Sequence, residues 1–311
     1  MSVTVVGSIA YDAVKTPFGE RERMLGGAAT HFALAASFFD EVRVVGPVGG
    51  DFREEDFTVL RTRGTITDDV EVVPDGKTFF WAGEYGWDLN SRETLDTQLG
   101  VFEEFQPKLS AASRDSDVLF LANIQPDLQH QVREQCGDAR FAALDSMNLW
   151  IDIARDDLVK VIERVDCLVL NDAEIRQLTR RPSIVRAARE LLTWGPSAVV
   201  AKQGEYGAAL ITSEGFFALP AYPLERVIDP TGAGDTFAGG LAGYVAAHPG
   251  EPVSHDLLTR AIAYGTALAS FNVEEFGTDR VARVSADEVG ERVAELARMT
   301  SFNAAPLALR S

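Results

Sequence analysis

Six short, largely apolar runs recur along this chain, at residues 3–6, 42–45, 118–122, 141–144, 167–170 and 198–201. A strand with one wet face alternates apolar and polar side chains. A run without that alternation must be covered on both faces, as in a parallel sheet between helical layers. The stretches between the runs carry the helical period. Ile184, Ala187, Ala188 and Leu191 fall on one face of residues 183–194, and Gly195-Pro196 ends the pattern. Ser285 and Glu288 form a capping box ahead of Val289, Val293 and Leu296. Strands alternating with helices predict an α/β fold of three layers, α/β/α, around a central, mainly parallel sheet. The 311 residues read as one domain, 1–311.

Two segments leave this rhythm. Residues 66–90 are β-like and aromatic, with a turn at Pro74-Asp75-Gly76, and residues 13–25 are extended and polar, broken by Pro17 and Gly19. They predict a small β-rich lid projecting from the body, a surface hairpin being the plainer alternative. Phe79, Phe80, Trp81, Tyr85 and Trp87 would give it an apolar contact or a cover for a bound molecule. The last dozen residues, 300–311, show little periodicity and are expected to be loosely held.

The charge balance narrows the partners. Lys plus Arg is 29 against 47 Asp plus Glu, a net charge of −18. Such a body repels nucleic acid phosphates and anionic membranes, so neither is an expected partner and a small-molecule substrate is. Two cysteines, Cys136 and Cys167, form no CxxC pair, and no apolar run reaches 18 residues. A reducing, cytoplasmic setting without a membrane span is therefore expected.

The sharpest string is Asp229-Pro230-Thr231-Gly232-Ala233-Gly234-Asp235-Thr236-Phe237-Ala238-Gly239-Gly240. Small residues lead into an apolar helical pattern, Phe237, Leu241, Tyr244 and Val245. Gly232, Ala233 and Gly234 leave backbone N–H groups uncovered at a helix start, which suits an anion such as a phosphoryl group. Asp235 in that first turn is either a dipole partner or, if it faces a cleft, a base for a hydroxyl proton.

This string closely resembles the C-terminal signature of the ribokinase (phosphofructokinase-B) family of small-molecule kinases. The resemblance implies that Asp235 is the catalytic base and that Gly232, Ala233 and Gly234 form the anion hole. Other segments agree in the expected order. Gly7-Ser8-Ile9-Ala10-Tyr11-Asp12 resembles the acceptor-binding turn, with Asp12 accepting from two vicinal O–H groups. Alone, Asp12 would read as a solvated turn residue. Gly26-Gly27-Ala28-Ala29-Thr30-His31 is similar to the double-glycine motif, which implies acceptor contacts at Gly26, Gly27 and His31. Asn171-Asp172-Ala173-Glu174 resembles the N-x-x-E motif and implies a hydrated Mg²⁺ held through water by Glu174, although the tetrad alone reads as a capped helix start. Lys202, Gly204 and Gly207 resemble the nucleotide-side turn. Residues 271–277, with Asn272 and Gly277, lie where relatives line the adenine pocket, and the Asp229 and Thr231 region implies a site for K⁺.

Three departures concern the acceptor. Ala10 stands where ribokinase proper has Asn, Ala28 where it has Lys, and His31 where it has Asn. The loss of polar groups weakens the case for ribose, and the loss of a cation at position 28 weakens that for a phosphorylated acceptor. The resemblance implies an ATP-dependent kinase of a sugar or nucleoside hydroxyl, with Mg²⁺, and a homodimer through the lid. The alternative is an inactive relative that binds a sugar or nucleotide as a regulatory module. No GxxxxGK[ST] string occurs, and GSIAYD after the first strand is not GxGxxG, which argues against P-loop and nicotinamide-binding designs.

Overall fold

A computed structural model describes residues 2–302. Of residues 300–311, expected to be loosely held, 303–311 lie outside the described residues. The strands are β1 (Ser2–Val6), β2 (Ala10–Thr16), β3 (Gly19–Gly26), β4 (Glu41–Gly49), β5 (Ile66–Val73), β6 (Phe79–Tyr85), β7 (Arg92–Gln98), β8 (Val118–Leu121), β9 (Phe141–Leu144), β10 (Cys167–Asn171), β11 (Ala198–Lys202), β12 (Ala208–Thr212) and β13 (Phe216–Leu219). They form a nine-stranded sheet, ordered β13-β12-β11-β10-β9-β8-β1-β4-β5, and a separate four-stranded sheet, ordered β3-β2-β6-β7. From β5 across to β11 the large sheet is parallel, and β12 and β13 extend it antiparallel.

The missing alternation in the apolar runs has its expected cause. In β8, Val118 and Phe120 enter one core while Leu119 and Leu121 enter the other. In β10, Cys167 and Val169 oppose Leu168 and Leu170 in the same way. One core is capped by the helices Ala28–Ala36, Ala233–Ala246 and His255–Asn272, and the other by Pro126–Gln135, Arg155–Ile162, Asp172–Thr179 and Ile184–Leu192. This is the three-layer α/β/α arrangement. Ser183 caps Ile184–Leu192, and the Ser285–Glu288 box caps Ala286–Thr300. Among the described residues no helix is long and apolar enough to cross a membrane, and both cysteines are free and buried.

The lid has different boundaries from those read off the sequence. Residues 66–73 do not belong to it. They form β5, which pairs parallel with β4 at the edge of the large sheet, where its polar side chains meet solvent and Val70 turns inward. The turn at Pro74-Asp75-Gly76, closed by Gly76 N–H to the Val73 carbonyl, then sends the chain into the lid at β6. The lid also takes in β7, residues 92–98, beyond the expected end at 90. Every residue of β7 is exposed, so it carries no apolar pattern, and its pairing with β6 alone defines it. Val14, Tyr85 and Phe276 pack together with Met24, Trp81 and Ile228, which seats the lid on the body.

Close helix packing fixes the floor of the cleft. A methyl on Gly239 would lie 2.2 Å from the Phe32 carbonyl oxygen, and one on Gly240 would lie 2.8 Å from the Gly265 Cα. The helix Ala233–Ala246 is thus in backbone contact with a neighbour on either side. Gly239→Ala should force these helices apart and cost about 1–3 kcal/mol of stability. Urea unfolding at an unchanged slope would measure this, and a variant as stable as the parent would contradict the packing argument.

Candidate active site

The parallel strands end on one crest, and polar side chains gather there. A sheet buried on both faces gives a charge no other outlet, and ligands of such sheets bind beyond the carboxyl ends of the strands. Asp145 follows β9, Asn171 ends β10 and Lys202 ends β11, with Asn171 and Lys202 in direct register. Lys202 Nζ donates to Asp145 Oδ2 at 2.7 Å. Burial would lower the Lys202 pKa, but Asp145, Glu174 and Asp235 outweigh it and hold the ammonium above its usual value.

Asn171 and Glu174 make a reciprocal cap. Glu174 N–H donates to Asn171 Oδ1 at 2.8 Å, and Asn171 N–H donates to Glu174 Oε2 at 2.8 Å. The plain reading of this tetrad as a helix start is therefore present in the structure, and among the described residues it leaves Glu174 Oε1 without a hydrogen-bond partner. Glu174 is buried, and burial followed by repulsion from Asp145 raises its pKa to about 7.

The turn before the helix Ala233–Ala246 is built as its small residues predict. Gly232 is the N-cap, in the left-handed region at φ 73°, and no side chain caps the helix. No side chain covers the N–H groups of the first turn, although Ala233 N–H reaches back to the Pro230 carbonyl at 3.3 Å. Asp235 lies in that turn. Burial first, and Asp145 second, raise its pKa to about 7, while Lys202 and Arg92 act to lower it.

Asp12 stands on the lid sheet, in β2, and is buried. Gly26 is required by this carboxylate, since a methyl there would lie 2.0 Å from Asp12 Oδ2. Gly27, at φ 94°, would carry a methyl 2.5 Å from the Ser8 carbonyl oxygen. Burial, with Asp229 and Asp235 adding repulsion, raises the Asp12 pKa to about 7, although it accepts the Gly27 N–H. Because this value lies above the unfolded one, the cost of ionising Asp12 is absent below about pH 4 and grows as pH rises toward 7.

His31 and Asn272, of which acceptor and adenine contacts are expected, are tied into the support of the turn. Both are buried beneath the turn. Asn272 Nδ2 donates to the Thr231 carbonyl at 2.7 Å, so Oδ1 is the accepting atom, and it receives Thr236 Oγ1 at 3.0 Å. The same oxygen lies 2.9 Å from His31 Nδ1, which must then carry the imidazole proton. A methyl on Gly232 would sit 2.4 Å from three atoms of the His31 ring, so the glycine rests on the ring face. Burial lowers the His31 pKa to about 4, and the ring is neutral at pH 7. Asp229, fully buried, accepts Thr231 N–H at 2.9 Å and Gly277 N–H at 3.0 Å. Gly277 is thereby tied to the turn. Gly204 and Gly207 shape the β11–β12 connection, where a methyl on Gly207 would lie 2.0 Å from the Leu219 carbonyl oxygen.

Asp145 and Arg92 escaped the sequence reading, and Tyr85 figured in it only as one of the lid aromatics. Asp145 was legible in principle, as the first charge after an apolar run on the same crest as Asn171 and Lys202. Tyr85, whose hydroxyl accepts Thr231 Oγ1 at 3.2 Å, and Arg92, opposite Tyr85 in the β6–β7 register, reach the site from the lid. Nothing in a lone exposed strand marks such a contact. Among the described residues no cluster of three or more His, Cys, Asp and Glu side chains could hold a metal unaided.

Residues 2–283 match the family described as pfkB family carbohydrate kinase. A cytidine kinase of Thermococcus kodakarensis is 30% identical over 259 residues, 81% of this chain and 91% of that protein. Among solved structures, a Burkholderia thailandensis nucleoside kinase in complex with inosine superposes with a TM-score of 0.77 at 21% identity, covering 94% of this chain and 97% of that one. An Arabidopsis thaliana ribokinase complexed with ribose and ATP gives 0.72 at 19% identity, covering 94% and 98%.

The crowding of Asp145, Glu174 and Asp235 can be tested by carboxyl-carbon NMR titration. Asp145→Asn removes one charge and frees Lys202 for the other two carboxylates, so the Asp235 and Glu174 midpoints should fall toward the ordinary carboxylate range. Unchanged or higher midpoints would show that Asp145 does not set them.

Proposed function

The chain belongs to the pfkB carbohydrate kinase family and is a phosphotransferase of the sugar and nucleoside kinase kind; on that premise we propose that it transfers the γ-phosphoryl group of ATP to a ribose hydroxyl of a nucleoside. The observation that carries this reading is the convergence of two carboxylates, Asp12 from the lid sheet and Asp235 from the body, on an uncapped helix N-terminus. In the proposed reaction Asp12 accepts from the acceptor's hydroxyls. Asp235 takes the proton of the attacking hydroxyl as its oxygen bonds the γ-phosphorus and the bond to the β-phosphate bridging oxygen breaks, releasing ADP. The N–H groups of the Gly232–Gly234 turn receive the charge on the transferring oxygens.

A pKa of about 7 suits Asp235 to this task, since a carboxylate with a raised pKa is a stronger base than an ordinary one and holds the abstracted proton better. Lys202, Gly204 and Gly207 are proposed on the nucleotide side. Mg²⁺ fits as a hydrated ion held through water by Glu174, whose Oε1 is free, and when bound it neutralises phosphate charge. Asp229 is buried with two backbone donors and no cationic side chain against it, which fits a K⁺ ion beside Asp229 and Thr231. The nucleoside preference draws on the two relatives named as cytidine and nucleoside kinases. It also draws on Ala28, which takes no polar contact to an acceptor and leaves room for a base. A cytoplasmic setting fits the two free thiols, and the exposed lid edge β7 is where a homodimer would form.

ADP release with cytidine, inosine, adenosine, ribose and fructose tests the reading. Turnover should be fastest with a nucleoside. Preference for a free sugar would overturn the acceptor class, and no turnover with any acceptor would leave a binding module. Asp235→Asn should lower kcat by at least about 10²-fold with ATP affinity unchanged, and more than about a tenth of parental kcat would remove Asp235 as base. Asp12→Ala should raise the acceptor KM and leave ATP binding intact; equal losses in both would mean a damaged fold.

A further inference from the structure

Positive charge is scarce on this chain, yet it gathers in one place away from the crest. Between Glu174 and Glu190 the sequence holds five arginines and no acidic residue. Four of them, Arg180, Arg181, Arg186 and Arg189, line a hollow of about 550 Å³ with Ser183 and Glu190. Two helices bring them together. Arg180 ends the helix Asp172–Thr179, and Ser183 caps the helix Ile184–Leu192, on whose exposed side Arg186 and Arg189 stand three residues apart. The fifth arginine, Arg176, is ion-paired to Asp172 and donates to the Pro182 carbonyl at 3.0 Å, which fixes the turn between the helices. Arg181 Nε donates to Glu190 Oε2 at 2.7 Å. The guanidinium groups of Arg180, Arg186 and Arg189 have no hydrogen bond or ion pair among the described residues. Four guanidinium groups against one carboxylate leave the hollow with three uncompensated positive charges, which repel one another. The chain has 47 acidic residues to draw on, and Glu190 alone of them lines the hollow. Arg180 also holds a left-handed backbone position, φ 55°, that glycine or asparagine would fill at less cost.

We propose that this hollow is a second binding site, for a chain of linked phosphates, inorganic or carried by a nucleotide, held by Arg180, Arg186 and Arg189. It does not rest on the kinase reading. A phosphate chain carries several negative charges on closely spaced oxygens, and planar guanidinium forks take such oxygens in pairs. A carboxylate or a single phosphate would leave the hollow positive. A nucleic acid or an acidic protein segment would extend beyond it onto a body of net charge −18, which repels both. The site is separate from the crest. The helix Asp172–Thr179 carries Glu174 in its first turn and meets Arg180 past its last residue, and its eight residues span about 12 Å.

The Nε–Hε NMR signals of Arg180, Arg186 and Arg189, assigned through the single variants Arg180→Lys, Arg186→Lys and Arg189→Lys, report on the hollow itself. On the full chain in magnesium-free, low-salt buffer, tripolyphosphate and ATP should both shift them with a Kd below about 1 mM, and orthophosphate should bind at least about tenfold more weakly. Replacing Arg186→Ala and Arg189→Ala together should weaken tripolyphosphate by at least about tenfold, read at the Arg180 signal, while Lys108→Ala, which removes an exposed cation elsewhere, should change it little. The three arginines are exposed and unpaired, so without ligand the double variant should melt no lower than the parent, and the rise in Tm that tripolyphosphate gives the parent should shrink. Unshifted signals at about 10 mM tripolyphosphate, or undiminished binding by the double variant, would overturn the site. Tighter binding of an acidic peptide or a single-stranded oligonucleotide at the same signals would overturn its ligand class. Neither failure touches the kinase reading, which the acceptor panel tests separately.

Discussion

Two-sided burial of the parallel sheet is the constraint from which the rest follows. From β1 across to β11 the strands lie between two apolar layers, so a charge on that part of the sheet would be stranded without water. The chain places its charges where strands stop. Asp145, Asn171 and Lys202 are the first polar groups after three adjacent apolar runs, and the N-terminus of Ala233–Ala246 opens onto the same crest. Concentrating them there makes the neighbourhood hostile to further negative charge, and the raised values of Asp12, Glu174 and Asp235 record that hostility.

Much of this was legible in the residues. Five of the six apolar runs fall within β1, β4, β9, β10 and β11, and 118–122 extends one residue past β8, because burial on both faces leaves a trace that needs no partner to be read. The small-residue string before Asp235 likewise declares a turn and a helix start within itself. The lid was harder, since pairing rather than pattern defines its strands. Residues 66–73 look like β6 in composition but join β4, and β7 offers a wholly polar sequence that becomes a strand through its neighbour. His31 and Asn272 show the same limit from within. Their spacing of 241 residues hides a contact of 2.9 Å, and no local feature of either separates a ligand contact from a buried support.

That support explains how so open a turn can be held still. Glycine at position 232 gives the left-handed geometry but contributes no side chain to anchor it. Three separate parts of the chain take over the task. The His31 ring lies under the glycine, the Asn272 amide holds the chain on either side of it at Thr231 and Thr236, and the buried Asp229 carboxylate ties Thr231 to Gly277. These contacts anchor the turn from behind, although His31 Nε2 is buried there without a hydrogen-bond partner among the described residues.

One short connection has a further consequence. β1 ends at Val6 in the interior of the large sheet, and β2 begins at Ala10 in the lid, so only Gly7, Ser8 and Ile9 separate the two. Ser8 is pinned to the start of the helix Ala28–Ala36, its hydroxyl accepting Ala28 N–H and its carbonyl accepting Ala29 N–H. Asp12 stands a few residues past this segment on the lid, and Asp235 stands in the body. The gap between these two carboxylates is thus set by how the lid is seated on the body, as the gap of a pair of jaws is set at their joint.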